Sequence, residues 1–214
     1  TISKSQPFGD SFQEQDVVVT YVYDASGKLI GAAGSGTFNS NDGFGNLTSG
    51  TIKQTYAIIN GQAKLSSSET DSNTANLDGS TQEQTVTVTY TYDSNGKLTS
   101  ASGAGTFSSN DSFGNLTSGT ITQTYSIVNG QAKLASSRTI SNTTNLDGST
   151  QEQTVMVSYT YDSPGRLASA SGAGTFSSND GFGNLTSGTI TQTYSVVNGQ
   201  AKLASSQTAS NTTN

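Results

Sequence analysis

Fifteen Asp and Glu side chains, with no His and no Cys, set the chemistry open to this chain. The commonest general base and the commonest strong nucleophile are both missing. Glu83, Asp93, Asp111 and Asp147 recur at a fixed spacing, mostly among Gly, Asn and Ser. An Asp in such a setting usually accepts hydrogen bonds from its own turn. A glycosidase-type acid pair would have to come from carboxylates such as these, and the expectation is a protein that is not an enzyme.

Two other groups of residues could bind something. Asn39-Ser40-Asn41-Asp42-Gly43, Asn110-Asp111 and Asn179-Asp180-Gly181 place oxygen ligands beside or near Gly. They lack the several carboxylates and the distal Glu of an EF-hand loop. We therefore expect no cofactor, with calcium as the minor alternative. The competing expectation is a polar hairpin loop whose Phe44, Phe113 or Phe182 tucks into an end of a sheet. The second group is Thr85, Thr87, Thr89 and Thr91 with Thr120, Thr122 and Thr124, at every second position of two stretches. Such Thr arrays look like those of β-structured ice-binding proteins; equally, Thr is a good polar strand former. In the first copy Asp16, Val18 and Val22 interrupt the same face. Asn46-Leu47-Thr48, Asn115-Leu116-Thr117 and Asn184-Leu185-Thr186 match a glycosylation sequon, which chance supplies in so Asn- and Thr-rich a chain.

These residues sit in a repeat. Gln13, Gln82 and Gln151 each open Gln-Glu-Gln at equal intervals, and the period of 69 holds to the end of the chain without insertion. The second and third copies differ at nine positions, among them Thr87/Met156, Asn95/Pro164, Ser112/Gly181 and Ile140/Ala209. The units read as 8–75, 76–144 and 145–214, with 1–7 as the end of a preceding repeat or a junction strand. Thr1-Ile2-Ser3 matches Thr139-Ile140-Ser141, so the chain reads as a window cut from a longer array.

Inside each copy two turn signals alternate. Asp24, Asp93 and Asp162 open Asp-x-x-Gly turns that close on Gly27, Gly96 and Gly165. Asn60-Gly61, Asn129-Gly130 and Asn198-Gly199 are two-residue hairpin signals. Val86, Val88, Tyr90 and Tyr92 alternate with Thr85, Thr87, Thr89 and Thr91, as in a half-buried strand running over 85–92. A left-handed Gly96 pairs Tyr92 with Leu98. Pro164 argues for a type II Pro164-Gly165 turn in the third copy instead, since Pro is disfavoured at the third turn position. A two-residue Asn129-Gly130 turn sets Val128 opposite Gln131, Ile127 opposite Ala132 and Tyr125 opposite Leu134. Ala101, Gly103, Ala104 and Gly105 suggest close approach of another backbone and tight layer packing opposite the Val/Tyr face.

The expected fold is all-β: six long antiparallel hairpins, about twelve strands, in one continuous curled or rolled sheet of elongated repeat architecture. A flat single layer would leave the apolar face wet, so each repeat is expected to shelter that face against its neighbours.

Tyr23-Asp24-x-x-Gly27-Lys28-Leu29, Tyr92-Asp93-x-x-Gly96-Lys97-Leu98 and Tyr161-Asp162-x-x-Gly165-Arg166-Leu167 resemble the YD-repeat signature of Rhs-type bacterial surface and toxin-shell proteins. In that family the motif sits on hairpins of a continuous spiralling sheet, and the resemblance implies the same here. It covers seven residues of every 69, and the family's own repeats are much shorter. The wider pattern is similar in style to the near-identical tandem repeats of large bacterial surface adhesins.

Composition bounds the rest. Net charge is −6 and the pI is near 4.4, with no basic stripe, so nucleic acid is not an expected partner. No apolar run reaches the length of a membrane helix, and the return strands offer no lipid-facing band for a barrel, so no membrane insertion is expected. The functional expectation is a structural segment of an extracellular, cell-surface fibre, stalk or adhesin whose partners are further copies of the same repeat. Two alternatives are a binding module for ice, glycan or calcium, and a filament subunit in which Thr1 to Pro7 completes a neighbour's sheet.

Overall fold

The computed structural model describes residues 3–5 and 11–213. The remaining residues, including Pro7 and most of the 1–7 junction segment, lie outside the described part. The strands are β1 (Ser3–Ser5), β2 (Phe12–Tyr23), β3 (Leu29–Asn41), β4 (Leu47–Ile59), β5 (Gln62–Ala75), β6 (Thr81–Tyr92) and β7 (Leu98–Asn110). They continue as β8 (Leu116–Val128), β9 (Gln131–Thr144), β10 (Thr150–Tyr161), β11 (Leu167–Asn179), β12 (Leu185–Val197) and β13 (Gln200–Thr213). All belong to one antiparallel sheet whose spatial order is the chain order, β1 to β13. The fold is thus all-β, elongated and not closed into a barrel. Twelve long strands form six hairpins; the three-residue β1 is an addition.

Turn chemistry sets the register as expected. Val128 faces Gln131, Ile127 faces Ala132 and Tyr125 faces Leu134. Asn129 and Gly130 both take positive φ, as a type I′ turn demands. Tyr92 faces Leu98 across the Asp93–Gly96 turn, where the Gly96 N–H donates to the Asp93 carbonyl at 2.9 Å. β6 begins at Thr81, ahead of the expected Thr85, because Thr81 to Gln84 continue the alternation in polar form.

The third copy corrects one expectation. Gly165 N–H donates to the Asp162 carbonyl at 2.8 Å, so Pro164 sits in the same turn as its counterparts and not in a Pro164-Gly165 type II turn. In the second copy Asp93 Oδ1 accepts from the Asn95 N–H at 2.9 Å. Pro164 has no N–H to give. In its place Arg166 Nε reaches Asp162 Oδ2 at 2.9 Å.

Each of these hairpins carries a register shift one or a few pairs from its turn. Thr124 faces Ser136 while Tyr125 faces Leu134, leaving Ala135 as the extra residue of a bulge. The bulge exchanges faces along β9, so Ile140 stands on the Thr side of the sheet. Ladders between hairpins stop short of this edge; β5 and β6 pair only from Ser67↔Thr89 to Ala75↔Thr81. Tyrosines bridge the gap. Tyr92 Oη donates to the Leu65 carbonyl, and Tyr161 Oη to the Leu134 carbonyl, both at 2.9 Å.

No second layer covers the sheet among the described residues, which corrects the expected sheltering between stacked faces. Only Ala170 and Ile190 of those residues are core hydrophobics, 9% and 8% exposed. Shelter is lateral instead. On one face Phe107 lies over Gly119, Val86 over Gly105 and Gln123 over Gly103, and the same pairs recur in the other copies. The strand glycines therefore mark where a neighbouring side chain lies flat across the sheet, not where another layer packs.

Candidate binding surfaces

The sheet presents two faces and two edges, and each candidate residue falls on one of them. Pairing places Thr85, Thr87 and Thr89 on the same face as Thr120, Thr122 and Thr124, in rows that cross β7 at Thr106, Ala104 and Ser102. Thr91 continues this face toward the turn. Rows are spaced about 4.8 Å between strands and about 6.8 Å along a strand. Many of the hydroxyls are spent on neighbours: Thr89 pairs with Ser102 at 3.0 Å, Thr124 with Ser136 at 2.7 Å, and Thr85 donates to Asp71 Oδ1 at 2.6 Å. The rows also run into Asp71, Glu69, Arg138 and Ile140, so the Thr lattice spans only β6 to β8.

One edge gathers the Asp-x-x-Gly and Asn-Gly turns, Asp24 to Gly27, Asn60-Gly61, Asp93 to Gly96, Asn129-Gly130, Asp162 to Gly165 and Asn198-Gly199. Consecutive turns are joined: Asn60 Nδ2 donates to the Ser94 carbonyl at 2.9 Å and Asn129 Nδ2 to the Ser163 carbonyl at 3.1 Å. Lys28, Lys64, Lys97, Lys133, Arg166 and Lys202 all lie in or next to these turns.

The opposite edge carries the Asn/Asp loops and the Asn-Leu-Asp-Gly turns. In each loop one Asp holds the chain. Asp111 Oδ1 accepts from the N–H groups of Phe113 and Asn115, and Asp111 Oδ2 accepts from Asn115 Nδ2. Asn115 Oδ1 in turn accepts from the Leu146 N–H at 3.0 Å, tying loop to turn. These carboxylates are engaged as turn acceptors, and no group of three or more possible metal-binding side chains occurs among the described residues. The expectation that Phe44, Phe113 and Phe182 tuck into the sheet is overturned. They are 80%, 80% and 91% exposed, and Leu77 and Leu146 beside them are 78% and 79% exposed.

No protein-family model matches this chain, and no curated protein is similar to it. The surfaces therefore speak through their own chemistry.

Hydrogen bonds from Ser, Asn and backbone N–H groups hold the carboxyls of Asp24, Asp42, Asp78, Asp111, Asp147, Asp162 and Asp180 below their ordinary range. For Asp111 and Asp180 the main cause is the Asn115 or Asn184 side chain; for Asp42 it is the Phe44 N–H. A carboxyl whose folded pKa is depressed binds fewer protons folded than unfolded. Its contribution is present above the unfolded value, about 3.9, and is lost as pH falls through the folded one. The thermal midpoint should stay level from about pH 7 to about pH 5 and fall below about pH 4. Circular dichroism melts across this range check it, and replacing Asp42, Asp111 and Asp180 by Asn should flatten the acid limb.

Proposed function

We propose that this chain is a non-enzymatic structural repeat segment of an extracellular bacterial fibre, stalk or adhesin, joined to further copies of its own repeat. The observation that carries the reading is the ladder across copies. β5 of one copy pairs with β6 of the next, and β9 with β10, over nine residue pairs in identical register. No linker interrupts the hydrogen bonding, so load and stiffness pass from copy to copy through main chain. The acidic, Cys-free composition suits a secreted surface protein. The likeness of the Tyr-Asp hairpins to the YD signature points the same way.

Four strands at about 4.8 Å give a rise of about 19 Å per repeat along the array. Electron microscopy of tandem arrays of increasing copy number should therefore show straight rods that lengthen by that step. A step of roughly 35–45 Å, as separate globular modules would give, overturns the reading.

A further inference from the structure

The two edges of the sheet differ in a way the scaffold role does not require. Phe44, Leu77, Phe113, Leu146 and Phe182 stand at successive turn tips of one edge, all nearly fully exposed. The other edge ends in Asn-Gly and Asp-x-x-Gly turns. A row of bare Phe and Leu is unusual on a soluble surface and marks contact with something. The apolar tips recur every two strands, about 10 Å, with a ring every four strands, about 19 Å.

A second feature lies beside the same edge. On the Val/Tyr face each copy has a shallow depression lined by Gln82, Ser109, Asp111, Asn115, Thr117 and Thr143, or by their equivalents in the copies before and after. Phe182 itself lines the third. Thr117 and Thr143 pair their hydroxyls at 2.8 Å, and the Asp and Asn side chains are tied into the loop. Among the described residues neither Gln82 nor Ser109 has a side-chain hydrogen-bond partner, which leaves an amide and a hydroxyl free in the central recess. In the third copy Gln151 spends one amide N–H on Gln153 at 3.3 Å and keeps its carbonyl oxygen. The lining holds amides, hydroxyls and one committed carboxylate in the central recess, and no Lys or Arg in either of the later two.

We propose that this edge binds a neutral polysaccharide, laid along the array across successive copies, with a subsite in each. The Phe rings meet the CH faces of the sugars, while the Gln, Ser and Thr groups exchange hydrogen bonds with sugar hydroxyls. This is the usual division of work in a small-molecule site, an apolar surface with a few placed polar groups. Charge selects against the anionic partners of an exposed apolar row. Asp42, Asp78, Asp111, Asp147 and Asp180 flank the tips, and the cations of the turns lie at the opposite edge, so an anionic bilayer or nucleic acid is repelled. Repetition of the subsite makes weak single contacts cumulative.

The test is electrophoresis of the full chain in native gels containing soluble neutral polysaccharides: a β-1,4-glucan ether, a β-1,3-glucan, a galactomannan, a xylan and dextran. The chain should be retarded by at least one of them. Each single change, F44S, F113S or F182S, should weaken apparent binding about tenfold, and the triple change should abolish retardation, at unchanged thermal midpoint. A second variant with Gln13, Gln82 and Gln151 all changed to Glu keeps the rings and should also lose retardation. Overturning results are retardation in none of the gels, or equal retardation of the wild-type chain and both variants. Co-sedimentation with phosphatidylcholine vesicles that is lost in the triple variant would assign the edge to a membrane surface instead and would equally overturn the proposal.

Discussion

Replacing Gly119 by Ala is expected to cost about 3 kcal/mol and to lower the thermal midpoint by roughly 6–12 °C. A β-carbon there would run into the Ile140 carbonyl oxygen and lie 2.6 Å from Phe107 Cε1. Neither neighbour can yield cheaply. The carbonyl belongs to the paired strand, and the ring lies across Gly119 because nothing else covers it. Gly50 beneath Phe38 and Gly188 beneath Phe176 have the same surroundings and should respond alike. Gly130→Ala is the control. No atom lies within 4 Å of its β-carbon position, and its φ is positive. The cost there is that of the left-handed backbone alone, about 1 kcal/mol. A double-mutant cycle of Gly119→Ala with Phe107→Ala should be non-additive, since removing the ring relieves part of the clash. Equal melts for Gly119→Ala and Gly130→Ala would mean that the ring does not lie over the glycine.

The second large effect concerns copy number. Residues 76–144 alone should melt roughly 10–20 °C below the three-copy chain, or fail to fold, with a less cooperative transition. A lone copy keeps four strands and no covered face, and a few strands need a packed hydrophobic face or a partner to be stable. It also loses both inter-copy ladders, at β5–β6 and at β9–β10. The Tyr92 and Tyr161 hydroxyls, which satisfy the carbonyls of Leu65 and Leu134 in the hairpin before them, would lose or orphan a partner at each cut. Calorimetry of one, two and three copies measures this directly. A lone copy as stable as three would remove lateral support as the source of stability.

Turns were the most legible part of the sequence. Asn129-Gly130 and Asp93 to Gly96 each demand specific left-handed residues, and that demand alone placed Tyr125 opposite Leu134 and Tyr92 opposite Leu98. The bulge at Ala135 was not legible, because Lys133-Leu134-Ala135-Ser136-Ser137 has no alternation to break. Its consequence, Ile140 among the threonines, was hidden with it. Gly103, Gly105 and Gly119 announced close approach, but a sequence does not say whether the approaching group comes from above or from the side. The Phe loops failed for a related reason. An apolar residue between polar ones is ordinarily assumed to find cover, and Phe113 finds none because Asp111 and Asn115 use the loop hydrogen bonds to hold the tip outward. Pro164 broke a local preference that the rest of the hairpin outweighs, with Arg166 supplying the contact that its missing N–H gives up.

The most direct measurement of the single continuous sheet is a pair of spin-label distances, made simple by a chain without cysteine. Labels at Ser94→Cys and Ser163→Cys sit in equivalent turns four strands apart, so a distance of about 19 Å is expected. Labels at Ala25→Cys and Ser163→Cys span eight strands and should double it to about 38 Å. A one-copy distance of roughly 35–45 Å, or a two-copy distance no longer than the first, would contradict a sheet that grows by lateral addition of strands.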